Sequence, residues 1–171
     1  RPYLNAKETG TLIFDRLKSE FKAQKLGQLK NPGQFYDFTR YRPQTYLEGK
    51  KRKMKIPNTN IFYSQTKEQP DFLLLNLLEP HMSGEKYVNT IFNILDEFNV
   101  KRYSLLGSMH DTVPHTRPLI VSGEAPNYIL NDEKIKFQKS QYEGASSIVF
   151  NISHQASDQL DIETMYFLVS I

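Results

Sequence analysis

The chain has 171 residues, of which 39% are hydrophobic, 24% charged and 12% aromatic, a composition that suits one globular domain with a sizeable core. Its net charge of +3 is mild, and its one basic run lacks interleaved aromatics, which argues against a nucleic-acid partner. There is no cysteine, which excludes disulfides and thiolate metal sites. No run approaches the roughly 18 apolar residues of a membrane span, and no signal-peptide pattern opens the chain. A cytoplasmic protein without membrane contact is expected.

Tyr3 to Ala6 reads as the tail of a first strand. From Thr9 to Lys25, Leu12, Ile13, Leu17, Phe21 and Ala23 fall at helical spacing, with Gly27 as the stop. Asn31-Pro32-Gly33 is a turn. The aromatic stretch Gln34 to Pro43 has two readings. It is a strand edge with arginine stacked on tyrosine, or a loop that lends Asp37 and Arg42 to a pocket. Tyr46 to Asn60 holds the basic run Lys50-Lys51-Arg52-Lys53 with Lys55, and reads as a solvated hairpin or excursion. Ile61 to Ser64 is a short strand.

The segment Asp71 to Gly123 organises the rest. It reads as strand, loop, helix, strand, loop, strand. Between the apolar runs Phe72–Leu78 and Tyr103–Gly107, the residues Val88, Ile91, Phe92, Leu95 and Phe98 form one helical stripe. Tyr87 and Ile94 lie off it, to extend the core or to meet a second subunit. Strand, helix and strand make a βαβ unit, which predicts a mostly parallel sheet covered on both faces. Ligands in such sheets collect at the carboxyl ends of the strands, where both polar loops fall.

Beyond this segment, a short helix is expected over Asn131 to Phe137. Ser146 to Ile152 is a strand or the start of a helix, His154 to Leu160 a short helix, and Met165 to Ile171 a final strand. No repeat, low-complexity tract or linker interrupts the chain, so residues 1–171 are read as a single α/β domain. The chain starts at Arg1, without an initiator Met, and ends on a strand that would leave one face uncovered. A further C-terminal portion is therefore expected.

Two loops carry the candidate chemistry. Glu79-Pro80-His81 places a carboxylate and an imidazole at a strand mouth, as an acid or base requires. Equally, Glu79 pairs with an arginine such as Arg117 or caps the next helix. His110-Asp111 and Val113 to Pro118, with His115 and Arg117, form the densest polar cluster. Arg117 offers a planar fork to an anion. The spacing matches no His-x-x-x-His site, nucleophile elbow or phosphate loop, so neither metal nor cofactor is expected. The candidate pocket comprises Asp37, Arg42, Glu79, His81, His110, Asp111, His115, Arg117 and Glu143.

Val113-Pro114-His115-Thr116-Arg117-Pro118, followed by Ile120 to Ala125, resembles the signature of the proteasome assembly chaperone 2 family. Tyr36-Asp37-Phe38 with Arg42-Pro43, Asn58 to Phe62, Glu79-Pro80 and Tyr142-Glu143-Gly144 agree with it in order, over about Gly10 to Ile171. The resemblance implies a three-layer αβα sandwich similar to the phosphorylase/hydrolase-like fold, in chains that form homo-oligomers. It also implies an association with ATP-grasp proteins. Ser153-His154-Gln155 and Tyr166-Phe167 fall where relatives vary, and they carry nothing over. Two functions follow as expectations, because fold does not dictate function. The first is a chaperone-like interaction module that binds protein partners and itself. The second is a site for an anionic or nucleoside-like small molecule. There Arg117 and Arg42 hold the anion, and Glu79 and His115 serve as acid, base or hydrogen-bonding groups.

Overall fold

Residues 5–67, 70–110, 116, 119–126, 137–139 and 143–171 are described by the structure, a computed structural model. The chain divides into two compact units. One comprises Arg1–Pro2 and Phe14–Tyr87, the other Tyr3–Ile13 and Val88–Ile171. No helix among the described residues is long and apolar enough to cross a membrane.

The first helix, α1 (Thr9–Glu20), is shorter than its apolar spacing predicts. It stops because Lys22 turns to φ +50°. Phe21 leaves the helix to stack on Phe72 with ring centroids 4.2 Å apart, and its carbonyl accepts from the Ser64 hydroxyl at 2.5 Å. Tertiary packing thus overrides helix propensity here. Gly27, the expected stop, lies instead in β1 (Gln24–Gln28), where the strand register shifts between Lys25 and Gly27.

In the first unit, β1 pairs antiparallel with β4 (Asn60–Ser64), and β4 with β5 (Phe72–Asn76). Phe14 of α1 meets Phe62 of β4 edge-on at 5.6 Å. The hairpin of β2 (Gln44–Glu48) and β3 (Lys51–Lys55) forms a separate two-stranded sheet, confirming the expected excursion. Its two-residue turn uses Gly49 at φ +62°, a conformation that glycine adopts without a side-chain clash.

The second unit is built on four strands in the order β6 (Arg102–Met109), β9 (Glu163–Ser170), β7 (Ile120–Glu124) and β8 (Phe137–Lys139). Strands β6 and β9 run parallel over eight paired positions, from Arg102↔Glu163 to Met109↔Ser170. Strand β7 is antiparallel to β9 and parallel to β8. Helix α3 (Ile148–Leu160) packs on β6 and β9, so the Ser146–Ile152 ambiguity resolves to helix. Ser147 caps it, accepting from the Phe150 amide at 3.2 Å. Strands β7 and β9 approach so closely at Gly123 that a Cβ there would lie 1.9 Å from the Tyr166 carbonyl oxygen. The glycine of the Ile120–Ala125 motif is thus required by packing.

The expected mostly parallel sheet is not found. The fold is mixed α/β, and four of its six described strand pairings are antiparallel. Strands β5 and β6 flank α2 (Gly84–Glu97) as predicted, yet they belong to different sheets. An apolar run reports that a strand is buried but leaves its neighbour undetermined, because pairing is decided by distant segments. The helix stripe is sound for Val88, Ile91, Phe92 and Leu95, all buried, whereas Phe98 is 39% exposed. The helix expected over 131–137 lies outside the described residues except for Phe137, which opens β8.

Candidate functional site

Asp37, Glu79 and His81 come together in the first unit, in the loop after the 3-10 turn Pro32–Gln34 and the segment after β5. Gln34 to Pro43 contains no strand, so the strand-edge reading does not hold. The carbonyl of Phe35 accepts from the amides of His81 and Met82, at 2.8 and 3.2 Å, and so ties the two segments together. The amide of Asp37 donates to His81 Nδ1 at 3.2 Å. That contact leaves the neutral ring's proton on Nε2 and occupies its free lone pair. The Tyr41 ring stands edge-on to the imidazole at 4.6 Å.

The Asp37 carboxylate is directed to its own turn. Its Oδ1 accepts from the Thr39 amide at 2.8 Å and from the Thr39 hydroxyl at 2.7 Å, and Arg40 Nε lies 3.8 Å from Oδ2. The Thr39 hydroxyl, and then its amide, hold the Asp37 carboxyl below the usual carboxylate range. Burial, and then the Glu79 charge, raise the Tyr41 phenol above its ordinary value, while a hydrogen bond with the Glu79 backbone opposes the rise.

Beside this loop lies a buried hydroxyl network that sequence reading missed. The Tyr36 and Thr59 hydroxyls bond at 2.5 Å, Thr59 and Tyr87 at 2.7 Å, and Tyr36 donates to Tyr87 at 3.3 Å. The Leu78 amide also donates to the Thr59 hydroxyl, at 3.4 Å. Tyr36 and Tyr87 are 1% and 0% exposed. Burial, and then Tyr87, push the Tyr36 phenol well above its usual range. Tyr87 lay off the predicted helix stripe because its site is polar, and a hydrophobic period does not register a phenol held by hydroxyls.

The other candidates do not join this cluster. Arg42 is exposed, with no ion pair among the described residues, and Glu143 is exposed. His110 is exposed at the end of β6, in the second unit. Asp111, His115 and Arg117 lie outside the described residues. No group of three potential metal ligands occurs among the described residues. A concavity of about 680 Å³ is lined by Gln44, Thr45, Tyr46 and Lys55 of the hairpin. Chemically, the Asp37–His81 pair serves its own loop. The hairpin, by contrast, leaves its groups open to solvent.

The hairpin exposes all ten of its strand residues. Opposed residues share a face, so Thr45, Leu47, Arg52 and Met54 make one side. Gln44, Tyr46, Glu48, Lys51, Lys53 and Lys55 make the other, with Lys53 paired to Glu48. Leu47 and Met54 are 69% and 63% exposed.

The sequence profile of the PAC2 family matches residues 2–171. Among solved structures, the chain is similar to a PAC2 family protein from Streptomyces avermitilis, with 24% identity and a TM-score of 0.83. It is similar to a proteasome-assembly chaperone homologue from Mycobacterium tuberculosis, with 21% identity and a TM-score of 0.83. Each match covers 100% of this chain and 72% of the other. PbaB of Pyrococcus furiosus, an archaeal proteasome activator, matches at 13% identity with a TM-score of 0.74, over 99% of this chain and 72% of its own. No curated protein matches the sequence. At these identities the structural likeness establishes the fold alone.

Proposed function

The chain belongs to the PAC2 family, and from that premise we propose that it is a chaperone-like interaction module, which binds other protein subunits and works as a homo-oligomer. The observation that carries this reading is the β2–β3 hairpin. Its strands expose Tyr46, Leu47 and Met54, and a block of cations of which only Lys53 has an ion pair among the described residues. Apolar and cationic side chains exposed together on one element suit a protein partner better than a small ligand. The likeness to a proteasome-assembly chaperone homologue and to a proteasome activator supports proteasome subunits as those partners. A cytoplasmic location and the layered αβα organisation belong to the same proposal. The small-molecule alternative depends on His115 and Arg117, which lie outside the described residues, and no observation favours it.

The test is co-migration of the full chain with purified proteasome subunits in size-exclusion chromatography. The expected result is a shared peak that neither component gives alone. Separate elution at every mixing ratio would overturn the subunit-binding reading.

A further inference from the structure

The two units carry opposite charge. Arg1–Pro2 with Phe14–Tyr87 holds fifteen lysines and arginines against eight aspartates and glutamates, a net +7. Tyr3–Ile13 with Val88–Ile171 holds seven against eleven, a net −4, and the two values make up the chain's +3. The positive excess is concentrated in the hairpin. Residues 44–55 carry Lys50, Lys51, Arg52, Lys53 and Lys55 against Glu48 alone. Of these cations, only Lys53 has an ion pair among the described residues.

The negative excess has a matching focus in the second unit. Strands β6 and β9 are parallel and begin in register, and Glu163 N donates to the Lys101 carbonyl at 3.0 Å. Helix α2 ends just before β6, and α3 ends just before β9. The topology therefore brings the carboxyl ends of both helices to one end of the sheet. Exposed Asp96 and Glu97 arrive with α2, and exposed Asp158 and Asp161 with α3. Lys101 and Arg102 oppose them, but Arg102 is engaged by Glu163 at 2.5 Å. Two helix C-termini add the negative ends of their dipoles. Phe98, 39% exposed, follows Glu97 directly and supplies an apolar surface beside the carboxylates.

We infer that the hairpin of one copy docks onto this acidic end of a second copy through both of its faces, Leu47, Met54 and Arg52 against Phe98 and the opposite face's Lys51 and Lys55 against Asp96, Glu97, Asp158 and Asp161. The inference rests on the reading of the chain as a self-associating module and names the surfaces through which copies meet. Charge of opposite sign, on elements that also expose apolar side chains, is the complementarity a protein interface uses for register and approach. A nucleic acid would match the cations but would leave Leu47 and Met54 without a counterpart. Each copy presents both halves, so every contact joins the hairpin of one copy to the acidic end of another.

The test is sedimentation velocity of the full chain in about 50 mM and about 500 mM salt, where screening separates charge-led association from the rest. One variant reverses the hairpin (Lys51→Glu, Arg52→Glu, Lys55→Glu), and the other reverses the acidic end (Asp96→Lys, Glu97→Lys, Asp158→Lys). Wild type is expected to associate at low salt, and each variant alone to associate at least about tenfold more weakly. An equal mixture of the two variants is expected to associate again, because each reversed hairpin then faces a reversed end. Failure of the mixture to recover would overturn the inference, as would association indifferent to both reversals. The second result would leave the homo-oligomer reading standing. A wild type that is monomeric at low salt would overturn both. A monomeric wild type that binds a DNA duplex, and loses it on hairpin reversal, would make the hairpin a nucleic-acid surface and sink the proposal.

Discussion

Two regions of the first unit, interleaved in sequence, treat their polar groups in opposite ways. Tyr36 and Thr59 bracket the hairpin, and their 2.5 Å bond, with Tyr87 added at 2.7 Å, closes the chain beneath it. In that base the described hydroxyls satisfy one another, and Asp37 and His81 are turned inward on their own loop. In the hairpin between them every strand residue is exposed, and four of five cations lack an ion pair among the described residues. The difference teaches that polar density alone does not mark a site. Groups that satisfy each other hold shape, and groups left open to solvent are the ones available to a partner.

The base is the place to break this comparison hardest. Thr59→Val removes the hydroxyl shared by Tyr36, Tyr87 and the Leu78 amide while nearly keeping the volume. Buried groups that lose a partner cost about 1–3 kcal/mol each, so a loss of about 3 kcal/mol is expected in urea unfolding. A loss below about 1 kcal/mol would show that the network does not hold the base of the hairpin.

A smaller effect isolates Tyr36. Its phenol is raised above the ordinary value by burial and by Tyr87. An unfolded tyrosine releases its proton near pH 10, so above that point the unfolded state binds fewer protons than the folded state. The stabilisation is fully present below about pH 10 and is lost as pH rises beyond it, by about 1.4 kcal/mol per pH unit. Lysines titrate in the same range, so the measurement is the difference in slope between wild type and Tyr36→Phe. Between about pH 10 and pH 11, where the unfolded phenol is only partly ionised, wild type is expected to lose about 1 kcal/mol more than the variant. Equal slopes would mean that the folded state does not keep this phenol protonated.

Much of this architecture was legible in the sequence, and the remainder was hidden for identifiable reasons. The stripe Val88, Ile91, Phe92 and Leu95, the strand around Ile61–Ser64 and the excursion around the basic run were all readable, because each is a local pattern of burial or turn chemistry. Sheet membership was not readable. Strand β6 found β9, some sixty positions away, rather than β5 across one helix. The hydroxyl network was equally hidden, since positions 36, 59 and 87 share no period. Asp37 and His81 do lie together, but sequence spacing did not reveal that the acceptor nitrogen of His81 is already taken by a backbone amide.

The smallest effect on stability is expected where the effect on association should be greatest. Leu47 and Met54 are 69% and 63% exposed, so little apolar area leaves water when one copy folds alone. Replacing both by serine in about 500 mM salt, where copies are separated, should change the unfolding free energy by no more than about 0.5 kcal/mol, as for other exposed sites. The same double substitution removes the apolar half of the docking surface while leaving all five cations in place, so low-salt association should weaken without losing its dependence on salt. A large loss of stability would mean that Leu47 and Met54 are covered within one copy, and the hairpin would then be architecture like its base. Unchanged stability with unchanged association would leave the cations acting alone, and the contact would be electrostatic without an apolar centre.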